Sequence, residues 1–272
     1  MKHGKKNTGI KLFGNKITKR TRRLIYAALF LPALAGVIIA MVMLILAQRE
    51  SRAAQDEYEG LREHSPLVSE TSTPPPLQAP PIEPDTDNDP DTDLPEEPEP
   101  VVNLQNINKD YIGWIKIDGS VIDYPVVQGK DNWKYIYTTF SGEYNKAGTI
   151  FMDWRCEGTF DNNFAVLYGH NRSDGSMFTA LHDYEDKTYL REHPEITIVL
   201  PDGKKQTYTI FAARLTTITD DLFSLFNSPQ STIERYFARY NAPEGAQHFL
   251  VMSTCTFGGN KEDRLLVFAA QQ

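Results

Sequence analysis

The chain has 272 residues and a net charge of −8, from 28 Lys/Arg against 36 Asp/Glu. The balance is uneven: nine Lys/Arg and no acid lie within residues 1–23, so everything after them carries −17. A domain that acidic argues against nucleic acid as a partner. The sequence holds no His-Glu-x-x-His, no Cys-x-x-Cys, no EF-hand spacing and no Gly-rich phosphate loop, so neither a metal nor a cofactor is expected. The acidic run 85–93 lacks the glycine turn and ligand geometry of a calcium loop.

The basic arm abuts residues 24–47, an uncharged apolar run of 24 residues. At about 1.5 Å per residue, a helix of that length crosses a bilayer with some tilt. Positive charge before it predicts a cytoplasmic N-terminus and an extracellular remainder. A cleaved signal peptide is the alternative, but its apolar region is shorter and ends at a small-residue site, whereas this run leads into Gln48-Arg49-Glu50. Pro32 falls inside the run, where a membrane helix tolerates it. Residues 48–64 are charged and rich in Ala, Glu and Arg, and could extend the membrane helix. Residues 70–100 hold ten Pro and ten Asp/Glu with no Lys or Arg, which predicts an extended, disordered spacer. Four parts follow: a basic tail over 1–23, a transmembrane helix over 24–47, a charged stalk and spacer over 48–100, and a folded domain over 101–272.

From residue 101 the texture is globular. Residues 103–110 read as a short leading helix. Residues 112–117 and 121–127 are β-branched and apolar around Asp118-Gly119, a hairpin signal. Further strands are expected over 149–152 and 164–168. Met177, Phe178 and Leu181 have helical spacing, with Ser173 or Asp174 as N-cap. Residues 196–200 and 206–215 flank Asp202-Gly203, a second hairpin. Two helical segments follow, over 220–226 and 229–240. The chain closes with strands over 248–255 and 264–269. Many short strands with few helices predict a mainly β fold of barrel type.

The chemistry concentrates at strand ends. Cys255 ends one apolar strand and Arg264 begins the next, across a Gly-rich turn, so a hairpin would set them side by side. A thiol beside a fixed cation favours thiolate and stabilises developing negative charge. His170 follows the strand that ends at Tyr168 and could supply the acid/base. Each residue has a plainer reading: a buried small hydrophobe for the cysteine, a surface histidine, one more charge in a solvated turn. Their joint placement at strand ends is what makes a site. Side-chain alternation puts Phe249, Val251, Ser253 and Cys255 on one face and His248 on the other. His182 and His193 fall in helix-rich segments. A disulfide between Cys156 and Cys255 would silence the thiol, and Cys156, in a polar loop, is read as free.

Ser253-Thr254-Cys255 resembles the Thr-Leu-x-Thr-Cys type signature of sortases, with Arg264 and His170 where that family has its arginine and histidine. Gly113 to Gln128, Tyr144 to Asp153, Tyr168-Gly-His-Asn171, Asp174 to Phe178 and His193 to Ile196 are similar to the class B members. The resemblance covers roughly residues 103–270. It implies a closed eight-stranded β-barrel with a short N-terminal helix and a helical insert after the sixth strand. It also implies a cysteine transpeptidase that cleaves a C-terminal sorting signal of secreted proteins, of the Asn-Pro-x-Thr-Asn kind, through a thioacyl-enzyme. The acyl group would pass to an amine of a peptidoglycan precursor or to a pilin lysine. Cys255 would be the nucleophile, His170 the proton shuttle, and Arg264 the oxyanion donor and substrate clamp. Ser253 and Tyr168 would line the substrate groove, and the loop with Thr217, Leu222 and Phe223 would form its wall. Two alternatives stay open on the sequence: a cysteine endopeptidase with water as acceptor, and a non-catalytic surface binding module.

Overall fold

The computed structural model describes residues 19–67, 102–256, 258 and 260–271. The basic arm up to residue 18 and the spacer read over 70–100 lie outside the described residues. Two compact units are present, residues 1–49 and 50–272. In the first, the described residues belong to helix α1 (Lys19–Glu63). This is the one helix among the described residues long and apolar enough to cross a membrane, by length and composition.

The second unit is a closed barrel of eight strands, ordered β1-β2-β3-β4-β7-β8-β6-β5. The strands are β1 (Tyr111–Lys116), β2 (Asp123–Val127), β3 (Ile150–Met152), β4 (Phe164–Tyr168), β5 (Glu195–Val199), β6 (Lys205–Thr217), β7 (Phe249–Cys255) and β8 (Asp263–Gln271). The pairs β2/β3 and β4/β7 are parallel and the others antiparallel. The barrel and the insert expected from the sequence are both present. The insert lies between β6 and β7 and consists of a 3₁₀ turn, Asp221–Ser224, and a helix, Gln230–Ala238. Gly203 takes φ 84° in the turn between β5 and β6, a conformation that glycine adopts without steric cost.

The pattern of β7 explains the layering. Leu250 and Met252 join Ile115, Leu265 and Val267 in one core cluster, which fills the barrel. Phe249 and Val251 point the other way, with Leu266 and Phe268, into a second cluster under the insert helix through Ile233, Tyr236 and Phe237. A strand covered on both faces needs apolar residues without alternation, and 249–252 is such a run. Short helices complete the unit: α2 (Leu104–Ile107), α3 (Lys187–Glu192) and α4, the insert helix. Asn103 caps α2 by accepting from the Gln105 amide at 2.9 Å.

One expectation needs correction and a second is extended. Residues 177–181 do not begin an α-helix capped by Ser173 or Asp174. Met177 stands at φ 59° in an isolated bridge to Asn171, and a 3₁₀ turn runs over Thr179–Glu185 from Phe178, without a side-chain cap. The helical spacing there reflects burial of Met177, Phe178 and Leu181 in the barrel core. The charged segment over 48–63 continues α1, as the sequence suggested, and its end also joins the core of the second unit. Ala54, Tyr58 and Leu61, one face of the end of α1, are buried in the main core cluster. The Tyr58 hydroxyl donates to the Gly148 carbonyl and to Thr149 Oγ1, and Arg62 Nε donates to the Asp123 carbonyl at 3.0 Å.

Candidate active site

Ladder register builds the site at one rim of the barrel. Cys255, the last residue of β7, is paired with Arg264 near the start of β8. Tyr168, the last residue of β4, is paired with Ser253. The β4–β7 pairing continues one step further: the Gly169 amide donates to the Ser253 carbonyl at 3.2 Å, and Thr254 Oγ1 donates to the Gly169 carbonyl at 2.9 Å. This fixes the backbone just before His170. Only glycine fits at 169, because a Cβ there would lie 2.5 Å from Ile150 Cδ1 and 2.6 Å from the Phe178 ring.

Cys255, His170 and Arg264 all line one cavity of about 410 Å³. Tyr168, Ser253 and Phe223 line it too, with Asn132, Trp133 and Arg155. The Cys255 thiol is exposed and free. Cys156 is also free, and burial pushes its thiol up to about 12, which keeps it protonated and inert.

His170 is half-buried. Its Nε2 lies 2.7 Å from the Ile136 carbonyl, and its ring stacks on Tyr137 at 6.0 Å between centroids and 29° between planes. A carbonyl only accepts, so Nε2 carries a proton and Nδ1 is left to exchange one. Burial lowers the His170 pKa from its ordinary value, and the Arg172 charge lowers it further, against the opposing pull of the Ile136 carbonyl. Arg264 anchors its Nη1 on the Lys261 and Asp263 carbonyls, each at 2.8 Å. That holds the guanidinium in place while leaving donors unspent.

Ser253 is 1% exposed, and its Oγ has no hydrogen-bond partner among the described residues. Buried hydroxyls are normally paired, and this one is an exception at the edge of the cavity. Two of the expected groove residues fall elsewhere. Leu222 is wholly buried in the outer core cluster beneath α4, and Thr217, paired with Asp263 and sharing a hydrogen bond with Thr219, does not line the cavity. Ile218, one residue on, is the one that reaches the cavity. His248 contacts the Asn162 carbonyl, away from the site, as the strand alternation requires.

The sequence reading missed the floor of the cavity. Asp153 is 0% exposed and accepts from Arg155 Nε and Nη2, from Asn132 Nδ2 and from the Tyr168 hydroxyl, at 2.8–2.9 Å. Burial alone would raise the carboxyl, but the bonds from Arg155, Asn132 and Tyr168 outweigh it and hold it below its ordinary range. Arg155 also lies 3.7 Å over the Phe226 ring and donates to the Phe223 carbonyl. One carboxylate thus fastens β3, β4 and the insert together beneath the cavity. Three residues as ordinary as Asp-Trp-Arg in a polar loop carry no sign of that. Among the described residues, no group of three or more His, Cys, Asp or Glu side chains is arranged to hold a metal.

The Sortase domain profile matches residues 115–272. The chain belongs to the sortase family. It is similar to Sortase B of Staphylococcus aureus, 40% identical over 119 residues, which are 44% of this chain and 48% of that one. It is likewise similar to Sortase B of Listeria monocytogenes, 34% identical over 142 residues, 52% of this chain and 51% of that one. The match thus spans about half the length of these two relatives. The X-ray structure of Clostridium perfringens sortase B superposes with a TM-score of 0.56 at 31% identity, covering 62% of this chain and 98% of that one. These likenesses make the chain a class B sortase.

Proposed function

We propose that this sortase is a membrane-anchored cysteine transpeptidase, with Cys255, His170 and Arg264 as its catalytic residues. The observation that carries the reading is the Cys255–Arg264 rung, which opens on the same cavity as His170. The thiol proton passes to His170 Nδ1 as Cys255 Sγ attacks the carbonyl of a sorting-signal peptide bond. Arg264 stabilises the oxyanion of the tetrahedral intermediate. The intermediate collapses to a thioester, and the leaving amine takes the proton from His170. An incoming amine then loses a proton to Nδ1 and attacks the thioester, and the departing Cys255 sulfur recovers that proton. Ser253, Tyr168 and Phe223 contribute to the peptide groove.

In this reading residues 1–23 are the cytoplasmic tail, 24–47 the transmembrane helix, 48–100 the connection to the surface and 101–272 the catalytic domain. Residues 50–67 fold with the catalytic unit although they precede that boundary. Acyl donors are secreted proteins bearing a C-terminal sorting signal. The acceptor is an amine of peptidoglycan precursor or of a pilin.

The test is mass spectrometry of the intact protein after incubation with a panel of sorting peptides, with and without an amine acceptor. A thioacyl adduct on Cys255 that resolves to an amide product is expected. Hydrolysis alone in the presence of amine would reassign the protein as an endopeptidase. No adduct with any peptide, together with an unchanged cellular phenotype in Cys255→Ala, would make it a binding module.

A further inference from the structure

We infer that His182, held by Glu185, is a positioning residue for the nucleophile. It grips the main-chain carbonyl of Cys255 and so sets the direction in which the thiol projects. The inference rests on the assignment of Cys255 as nucleophile.

Cys255 is the last residue of its strand, and a turn follows directly. A strand end of that kind is free to twist unless something holds its last carbonyl. Here two side chains converge on that oxygen: His182 Nε2 at 3.1 Å and Asn171 Nδ2 at 3.0 Å. The two nitrogens are also within hydrogen-bond distance of each other, 3.2 Å, so Asn171, His182 and the carbonyl form one cluster. Asn171 directly follows His170, so the same clamp links the nucleophile's strand to the segment carrying the proposed base. A displacement of either reacting group would be felt by the other.

His182 is itself fixed. It sits on the 3₁₀ turn Thr179–Glu185, where residues three apart stand one above the other. Glu185 is three residues on, and its Oε1 lies 2.7 Å from His182 Nδ1. The carboxylate accepts, so Nδ1 carries a proton toward it, and Nε2 meets the Asn171 amide and the Cys255 carbonyl together. The His182 side chain is 13% exposed, which shields these bonds from competing water. The turn packs on β7 and β8, the two strands that bear the thiol and the guanidinium. His182 is not among the residues lining the catalytic cavity, so its part is to orient and not to exchange protons with substrate.

The experiment compares the full chain in detergent micelles as wild type, His182→Leu, His182→Gln and Glu185→Gln. Three quantities are read: the single-turnover rate of Cys255 thioacylation by a peptide of the Asn-Pro-x-Thr-Asn kind, the rate of Cys255 alkylation by iodoacetamide, and Tm. His182→Leu removes the donor and should slow thioacylation roughly tenfold or more, since a misplacement of about 1 Å can cost 10²-fold. KM should change little. His182→Gln keeps an N–H near the position of Nε2 and should recover most of the rate. Glu185→Gln should fall between them. A merely structural histidine would lower Tm in both His182 variants without separating Leu from Gln in turnover. Equal thioacylation by His182→Leu and wild type overturns the inference. If the wild type forms no thioacyl-enzyme, the catalytic reading falls instead. The alkylation rates then decide the clamp: identical rates in wild type and His182→Leu reject it, and a changed rate restored by Gln supports it.

Discussion

Replacing Tyr58 with alanine tests whether the end of α1 is an integral part of the catalytic unit. The side chain is 3% exposed, its ring meets Tyr124 edge-on at 5.4 Å, and its hydroxyl bonds to Gly148 and Thr149. Burying an aromatic ring contributes about 2–3 kcal/mol. The edge contact adds about 1 kcal/mol, and the hydroxyl's net hydrogen bonding about 1 kcal/mol. The loss should therefore be about 4 kcal/mol, within the range for aromatic-to-alanine changes in cores. Urea denaturation of a protein spanning residues 50–272 measures it. With a slope of about 2.5 kcal/mol per molar for a unit of this size, the midpoint should fall by roughly 1.6 M. Tyr58→Phe, which loses only the hydroxyl, should shift it by about 0.4 M. A Tyr58→Ala midpoint equal to wild type would refute the reasoning. It would mean that the barrel is indifferent to residues 50–67 and that the buried face of α1 is not docked in solution.

Arg264→Lys keeps the charge but loses the planar guanidinium, in which Nη1 is anchored on the Lys261 and Asp263 carbonyls while the other donors stay unspent, so kcat/KM should drop by about a hundredfold or more, with Tm little changed. Near-normal turnover would remove Arg264 from the mechanism. Gly169→Ala forces a methyl against Ile150 and Phe178, so it should cost about 1–3 kcal/mol and slow thioacylation by shifting His170. Stability without loss of rate would show that the His170 backbone tolerates displacement. The Asp153, Asp174 and Asp220 carboxyls are all held below their ordinary value of 3.8. A depressed folded pKa adds stability that is present above the unfolded value and is lost as pH falls through the folded one. Unfolding free energy should therefore drop steeply below about pH 4, and Asp153→Asn should flatten that acid limb. An unchanged limb in Asp153→Asn would exclude the buried carboxylate as a source of acid sensitivity.

Much of the barrel was legible because its strands are short, apolar and bounded by turn residues. The residues now proposed as catalytic were legible as strand ends: Cys255 and Arg264 flank a Gly-rich turn, and register then makes them partners. What escaped was whatever depends on distant chain segments. Ala54, Tyr58 and Leu61 stand at i, i+4 and i+7, a helical stripe that the charged residues around them masked. Asp153 looks like any loop aspartate until β4 brings Tyr168 over it. Leu222 and Thr217 were assigned to the groove wall by position in a loop, where their neighbours Phe223 and Ile218 are the side chains that line the cavity. Met177 to Leu181 show the converse error: apolar residues at helical spacing can be buried by a turn with one left-handed residue.

The turn between β7 and β8 connects the proposed nucleophile to its proposed oxyanion donor, and both strand ends carry ties besides the ladder. At one end, Asn171 and His182 hold the Cys255 carbonyl. At the other, Arg264 bonds back to the Lys261 and Asp263 carbonyls, and the Asp263 carboxylate accepts from the Asn260 amide at 2.8 Å. The Cys255 end is thus tied from outside the turn, while Arg264 is tied to the residues that lead into β8, and position 258 lies between the two ties. This arrangement predicts an asymmetry. Lengthening the turn by a glycine after Gly258 should leave thioacylation nearly intact, whereas removing either tie should not. A large loss from the insertion, measured in the same single-turnover assay, would show that the turn itself sets the geometry.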